Sequence, residues 1–238
     1  AAGSWDQRRV EGDVSGKIAE NGKLRGRVVT ALQDKDSYLD RYSANRNVFY
    51  GIAEADLTDN TMLTVGMQYQ ENKTDSPLWG ALPLVYRDGS PTNYDVSTST
   101  ATDWSYWNTK EKRGFIELSH ALANDWKLKS SFTHIDFSQD SELFYVYGAP
   151  DKNTGLGLYA YPSAYTGANQ QNIADINLSG PFQLFGREHQ LATGASISHS
   201  NVRQWSGYGQ GIGTSIGDFS AWNGQYAKPS FDASTNDG

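Results

Sequence analysis

Leu63-Thr64-Val65-Gly66-Met67-Gln68-Tyr69-Gln70 decides the fold. Read in steps of two, Leu63, Val65, Met67 and Tyr69 stand on one side and Thr64, Gly66, Gln68 and Gln70 on the other, the period of a strand with one apolar face. Helical spacing fits worse. The same period places Leu24, Val28, Thr30 and Leu32 opposite Arg25, Arg27 and Gln33, and Ile116 and Leu118 opposite Arg113 and Glu117. Further segments, Gln7–Ser15, Asn47–Leu57, Trp126–Phe137, Gln171–Ser179 and Glu188–Ser200, bring the expected total to about eight strands. The fold class is all-β, with antiparallel neighbours.

The connectors carry the next step. Glu20-Asn21-Gly22, Thr58-Asp59-Asn60 and Ala123-Asn124-Asp125 are short turns, whereas the stretches from about Thr74 to Lys110 and from about Ser141 to Gln170 are longer than compact domains normally carry without internal structure. Short turns at one end and long loops at the other are the build of a transmembrane β-barrel, with brief periplasmic turns and extended extracellular loops. Turns near Asn21, Asn60, Asn124 and Phe185 are therefore expected at one end, and the loops holding Trp79 and Tyr159 at the other. Leu63, Val65, Met67, Ile116, Leu118, Ala174, Ile176 and Leu178 should face lipid, with Glu54, Asp56, Gln68, Glu117 and Asp175 inside.

Composition agrees with this reading. The 238 residues have a mean hydropathy of −0.62, and no apolar run nears the roughly 18 residues of a spanning helix, a test that barrel strands escape. Thirteen per cent are aromatic, too many for disorder. A net charge of −7 argues against nucleic acid as partner. The absence of cysteine removes disulfides, thiolate metal sites and thiol nucleophiles, and fits an oxidising compartment. The start, Ala1-Ala2-Gly3-Ser4-Trp5-Asp6, has no signal-peptide pattern. There is no internal repeat beyond the hairpin rhythm and no domain boundary, so residues 1–238 read as one domain.

Several residues invite chemistry and have a plainer account. Glu54 and Asp56 share a strand face with Tyr50, like a glycosidase acid pair, but lumen-facing charge paired with Arg25 and Arg27 is simpler. Gly155-Leu156-Gly157-Leu158-Tyr159-Ala160 has the form G-x-G-x-x-A without the strand and helix that a dinucleotide site needs. His120, His134, His189 and His199 show no metal-ligand spacing, so no protein-bound metal and no resident cofactor are expected. Trp126, just after a short turn, suits an interfacial aromatic girdle. Trp104 and Trp107, near the return of the longest loop, serve either loop packing or ligand contact.

Three stretches together resemble the TonB-dependent ferric-siderophore receptors of bacterial outer membranes, in particular the branch for ferric pyoverdine and coprogen-like hydroxamate chelates. They are Val14-Ser15-Gly16 with Leu24-Arg25-Gly26-Arg27-Val28-Val29 and Gln33-Asp34-Lys35-Asp36-Ser37-Tyr38; Trp104-Ser105-Tyr106-Trp107 after Leu82-Pro83-Leu84; and Gly180-Pro181-Phe182-Gln183-Leu184-Phe185-Gly186-Arg187-Glu188-His189. The resemblance implies part of a barrel of about 22 strands, without the plug, the coupling box and the last strands. By the family's pattern the chain begins on the descending second strand and stops in an external loop after Trp205. It implies no enzyme chemistry, a ferric siderophore as transported ligand and an outer-membrane location. Outer-membrane lipid and, for the full-length receptor, the TonB complex would be its partners. It favours ligand contact for Trp79, Tyr86, Arg87, Trp104, Tyr106, Trp107, Tyr145, Tyr159 and Trp205. The alternatives are a secreted β-sandwich or barrel module that binds carbohydrate, whose aromatic rows also suit sugars, and a glycosidase.

Overall fold

The structure, a computed structural model, describes residues 1–236. Its strands form one antiparallel meander in chain order: β1 (Arg8–Lys17), β2 (Leu24–Asp36), β3 (Ser43–Thr58), β4 (Thr61–Asp75), β5 (Tyr106–Ala121), β6 (Lys127–Gly148), β7 (Leu158–Leu184), β8 (Arg187–Gly209) and the short β9 (Phe231–Asn236). The eight expected strands are present, longer than their sequence patterns, and β9 is additional. Because every strand reverses on its neighbour, the turns at Asn21, Asn60, Asn124 and Phe185 share one end. The loop holding Trp79 lies at the other end, as does the β6–β7 tip beside Tyr159.

Backbone conformation explains the tight end. Phe185 and Gly186 have φ of 52° and 70°, the left-handed pair required by the two-residue hairpin turn that follows strand twist. Asn124 and Asp125 adopt φ of 59° and 61°, within the tolerance of short polar side chains for this region.

Register then sorts the chemistry. Directly opposed residues in an antiparallel sheet point to the same face, so the pairing can be followed across the sheet. One row runs Gly16, Gly26, Ala53, Val65, Ile116, Phe132, Ala174 and Ile197 from β1 to β8. It has no polar side chain. One residue along, the row on the opposite face runs Lys17, Arg25, Glu54, Thr64, Glu117, Ser131, Asp175 and Ser196. It has no apolar one. All eight residues expected to face lipid lie on the first face, and Glu54, Asp56, Gln68, Glu117 and Asp175 lie on the second.

Ion pairs confirm the wet side. Arg25 bonds Glu54 at 2.7 Å and Asp56 at 2.9 Å, Lys129 meets Glu117 at 2.8 Å, and Arg27 meets Asp13 at 2.6 Å. Arg25 thus takes both acids of the i, i+2 pair, and Arg27 turns to β1 instead. On the apolar face Val14 and Ile197 stay 74% and 73% exposed, which suits a hydrocarbon solvent and not water. The structure is the wall of a transmembrane barrel, apolar outside and charged inside. Trp126 lies on the apolar face at the short-turn end, against Gly180, the place of a girdle residue.

Glycine is required where a ring crosses a strand. Gly66 opposes Phe115, and a Cβ at Gly66 would collide with the Phe115 ring. Gly66→Ala is expected to destabilise the barrel by about 1–3 kcal/mol through overpacking, with recovery in Gly66→Ala/Phe115→Leu. Urea titration followed by heat-modifiable gel mobility measures it; equal midpoints for single and double variants would show that Phe115 moves aside freely.

Candidate functional site

Beyond the last β5–β6 pair, Tyr106 with Glu142, the β6–β7 hairpin continues past β5 to Gly148 opposite Leu158. Its expected long loop is thus mostly strand, and only residues 149–157 form the connection. Strand geometry gives this projecting ribbon two different faces.

The face continuous with the charged row is aromatic. Trp107, Tyr165, Tyr145, Tyr147, Tyr159, Tyr161 and Tyr208 share it by register. Trp79 reaches it from the β4–β5 loop, with its ring 5.4 Å from Trp107 and 6.0 Å from Tyr165. The next residue, Gly80, lies against the Tyr145 ring, leaving no room for a Cβ. Tyr145 continues to Tyr161 at 6.3 Å, Tyr161 to Tyr208 at 5.9 Å, and Tyr147 to Tyr159 at 5.7 Å. These distances fall in the range of favourable aromatic pairs. The rings form one run at the open end of the polar face, partly exposed at Tyr147 and Tyr208.

The opposite face of the ribbon is a small core. Phe144, Val146, Leu158 and Ala160 are buried beneath two large loops, the β4–β5 loop and the β8–β9 connection at residues 210–230. Phe144 stacks on Trp222 at 5.7 Å and 11°, touches Tyr226 at 4.8 Å, and meets Trp104 edge-on at 6.0 Å. The Trp104 Nε1–H donates to the Tyr226 carbonyl at 2.8 Å. Backbone bonds fasten the same layer: Asp103 N–H to Gly224, Ala160 N–H to Thr214, and Ile216 N–H to Leu158.

The nine candidate residues therefore separate. Trp79, Trp107, Tyr145 and Tyr159 come together in the aromatic run. Trp104 is held in the core of the loop layer. Tyr106 donates to Asp140 at 3.0 Å and, like Trp205, sits on the outward-parity face. Tyr86 and Arg87 occupy the tip of the β4–β5 loop, where the Arg87 N–H bonds the Pro150 carbonyl at 2.9 Å and its guanidinium lies beside Gly157. Tyr86 borders a hollow of about 410 Å³ with Asp40, Arg41, Tyr94 and Lys152, and Lys152 Nζ stands 5.9 Å from its ring centre. Next to it the Asp151 carboxyl is held below its usual range by hydrogen bonds from the Asn153 and Thr154 backbone.

Tyr161, Tyr165 and Tyr208 join the run without having been singled out as site residues. The i, i+2 spacing of Tyr159 and Tyr161 was the available signal. Among the described residues no cluster of His, Asp and Glu has the arrangement of a metal site. His120 pairs with Thr61 and His134 with Asn172.

Fold and sorted faces together define the class: the wall of a transmembrane β-barrel of the outer-membrane type. Within it the chain matches ferric-pyoverdine receptors. It is 38% identical over 236 residues to the ferripyoverdine receptor of Pseudomonas aeruginosa, covering 96% of this chain and 28% of that protein. To the ferric-pyoverdine BN7/BN8 receptor of Pseudomonas putida it is 36% identical, covering 97% and 29%. The crystal structure of the Pseudomonas aeruginosa receptor bound to ferripyoverdine superposes with a TM-score of 0.93 at 36% identity, over 99% of this chain and 32% of that one. The chain thus spans less than a third of the length of these relatives. No family model matches it.

Proposed function

We propose that this chain supplies wall and mouth to an outer-membrane receptor for a ferric siderophore of the pyoverdine type. The whole receptor would import it by TonB-driven passage, and residues 1–238 would be a single partial barrel domain. One observation carries this reading: the polar face of the wall opens into the run of rings from Trp107 and Trp79 to Tyr208. A ferric chelate is a compact body with its metal already coordinated, so its recognition calls for flat apolar area and hydrogen-bond donors and not for metal ligands. Trp79, Trp107, Tyr145 and Tyr159 are the anchors in this reading, with Tyr161 and Tyr165 beside them. Trp104 acts by holding the loop layer, and Arg87 by joining two loops. No bond chemistry is assigned to the chain. A carbohydrate module gains no support from the relatives, and its soluble surface would not carry the eight-strand apolar row.

The test is uptake of radiolabelled iron supplied as ferric pyoverdine by cells whose copy of the gene is deleted and then restored. Loss on deletion and return on restoration are expected. Unchanged uptake, together with binding of an oligosaccharide by the purified receptor, would overturn the reading.

A further inference from the structure

The apolar row is not uniform. Its β1–β3 end is Gly16, Gly26 and Ala53, followed by Val65, Ile116 and Phe132. The missing side chains leave a hollow of about 640 Å³ on the outer face of β1–β4, walled by Val14, Ile18, Val28, Phe49 and Met67. Ile18 leans over Gly26, and Phe49 over Gly51, so the hollow has raised ends. The hollow lies inside the band that meets hydrocarbon, and its surface is continuous with the lipid-facing wall.

We infer that this hollow seats an acyl chain of a membrane phospholipid as an ordered ligand. The hollow by itself is too small to define a protein interface. Four strands span three intervals of about 4.8 Å, so the floor offers on the order of 200 Å², well under the roughly 800 Å² per partner of a standard interface. A flexible hydrocarbon chain needs only a trough one side chain deep, with no polar group to satisfy. Glycine provides that depth on three adjacent strands, at Gly16, Gly26 and Gly51, at the cost of intrinsic strand propensity. The inference rests on the wall lying in a membrane and is independent of which chelate the receptor takes.

The test fills the trough. A Cβ at Gly16 has no atom within 4 Å, and one at Gly51 meets Phe49 at 3.6 Å, so the backbone at both positions admits a side chain, and Gly16→Leu/Gly51→Leu extends it into the hollow. The whole receptor, in detergent with added palmitoyl-oleoyl phosphatidylethanolamine, is stripped stepwise and weighed by native mass spectrometry. Wild type is expected to retain a bound phospholipid, and the double variant to lose it at roughly tenfold higher lipid concentration, the worth of about two buried methylenes. Ala174→Leu, on the same row but outside the hollow, should leave retention unchanged. Heat-modifiable mobility checks folding, and chelate titration of the same samples should be unaffected, separating failure here from failure of the transport reading. Equal retention in wild type and double variant, or a protein dimer in place of lipid, overturns the inference.

Discussion

Phe144→Ala is expected to release the loop layer while leaving the barrel wall intact, at a cost of about 3–5 kcal/mol for emptying a closed aromatic site. The Phe144 side chain is fully buried and meets three rings that arrive from both large loops, Trp104 from one and Trp222 and Tyr226 from the other. No strand of the wall depends on it, since the β6–β7 pairing at this level is backbone hydrogen bonding. The loss should therefore appear as local opening and not as global unfolding. Hydrogen exchange on the whole receptor provides the measurement. The Asp103 and Ile216 amides, which bond Gly224 and Leu158, should exchange faster by a factor of about a hundred or more, while amides of β4 and β5 near Val65 and Ile116 keep their protection. Phe144→Leu should recover most of it. Unchanged exchange at Asp103 would mean that backbone bonds alone hold the layer.

This layer also shows where the sequence stops being legible. Strands β2, β4 and β5 are readable because lipid on one side and charged lumen on the other impose opposite demands on alternate residues. Leu143-Phe144-Tyr145-Val146-Tyr147 alternates just as strictly in space, yet both sides demand apolar groups: tyrosines against Trp79 and its neighbours, Phe144 and Val146 against the loops. The contrast that marks a strand vanishes, and the segment reads as loop. For the same reason Trp104 and Trp107, three residues apart, could not be separated from sequence. Trp107 has entered β5 and follows its parity, whereas Trp104 precedes it and is placed by the bond to Tyr226, 122 residues away. The pairing of Arg25 with both Glu54 and Asp56 was half readable. All three are visible on one face, but register, which chooses Arg25 over Arg27, depends on the β2–β3 connection at residues 37–42.

The aromatic run leads to the second large effect. If Trp79 and Trp107 anchor the chelate, replacing either by Ala should weaken binding by about 2 kcal/mol, roughly thirtyfold. The rings touch at 5.4 Å, so the two losses should not add: removing Trp79 strips Trp107 of the neighbour that fixes its orientation, and the double variant should lose little more than the worse single one. Tyr145→Phe should have a small effect, since ring area is retained, whereas Tyr145→Ala also unseats Gly80 and with it Trp79. Trp104→Ala provides the contrast, because its ring lies in the loop layer: its effect on affinity should come with faster exchange at Asp103, and that of Trp107→Ala should not. The measurement is titration of the detergent-solubilised whole receptor with ferric pyoverdine, following quenching of tryptophan emission. A folded Trp79→Ala/Trp107→Ala receptor that binds as tightly as wild type would return both rings to loop packing. The chelate would then have to be held by polar groups deeper on the charged face, with Arg113, beside Gln68 in the register, the first to replace.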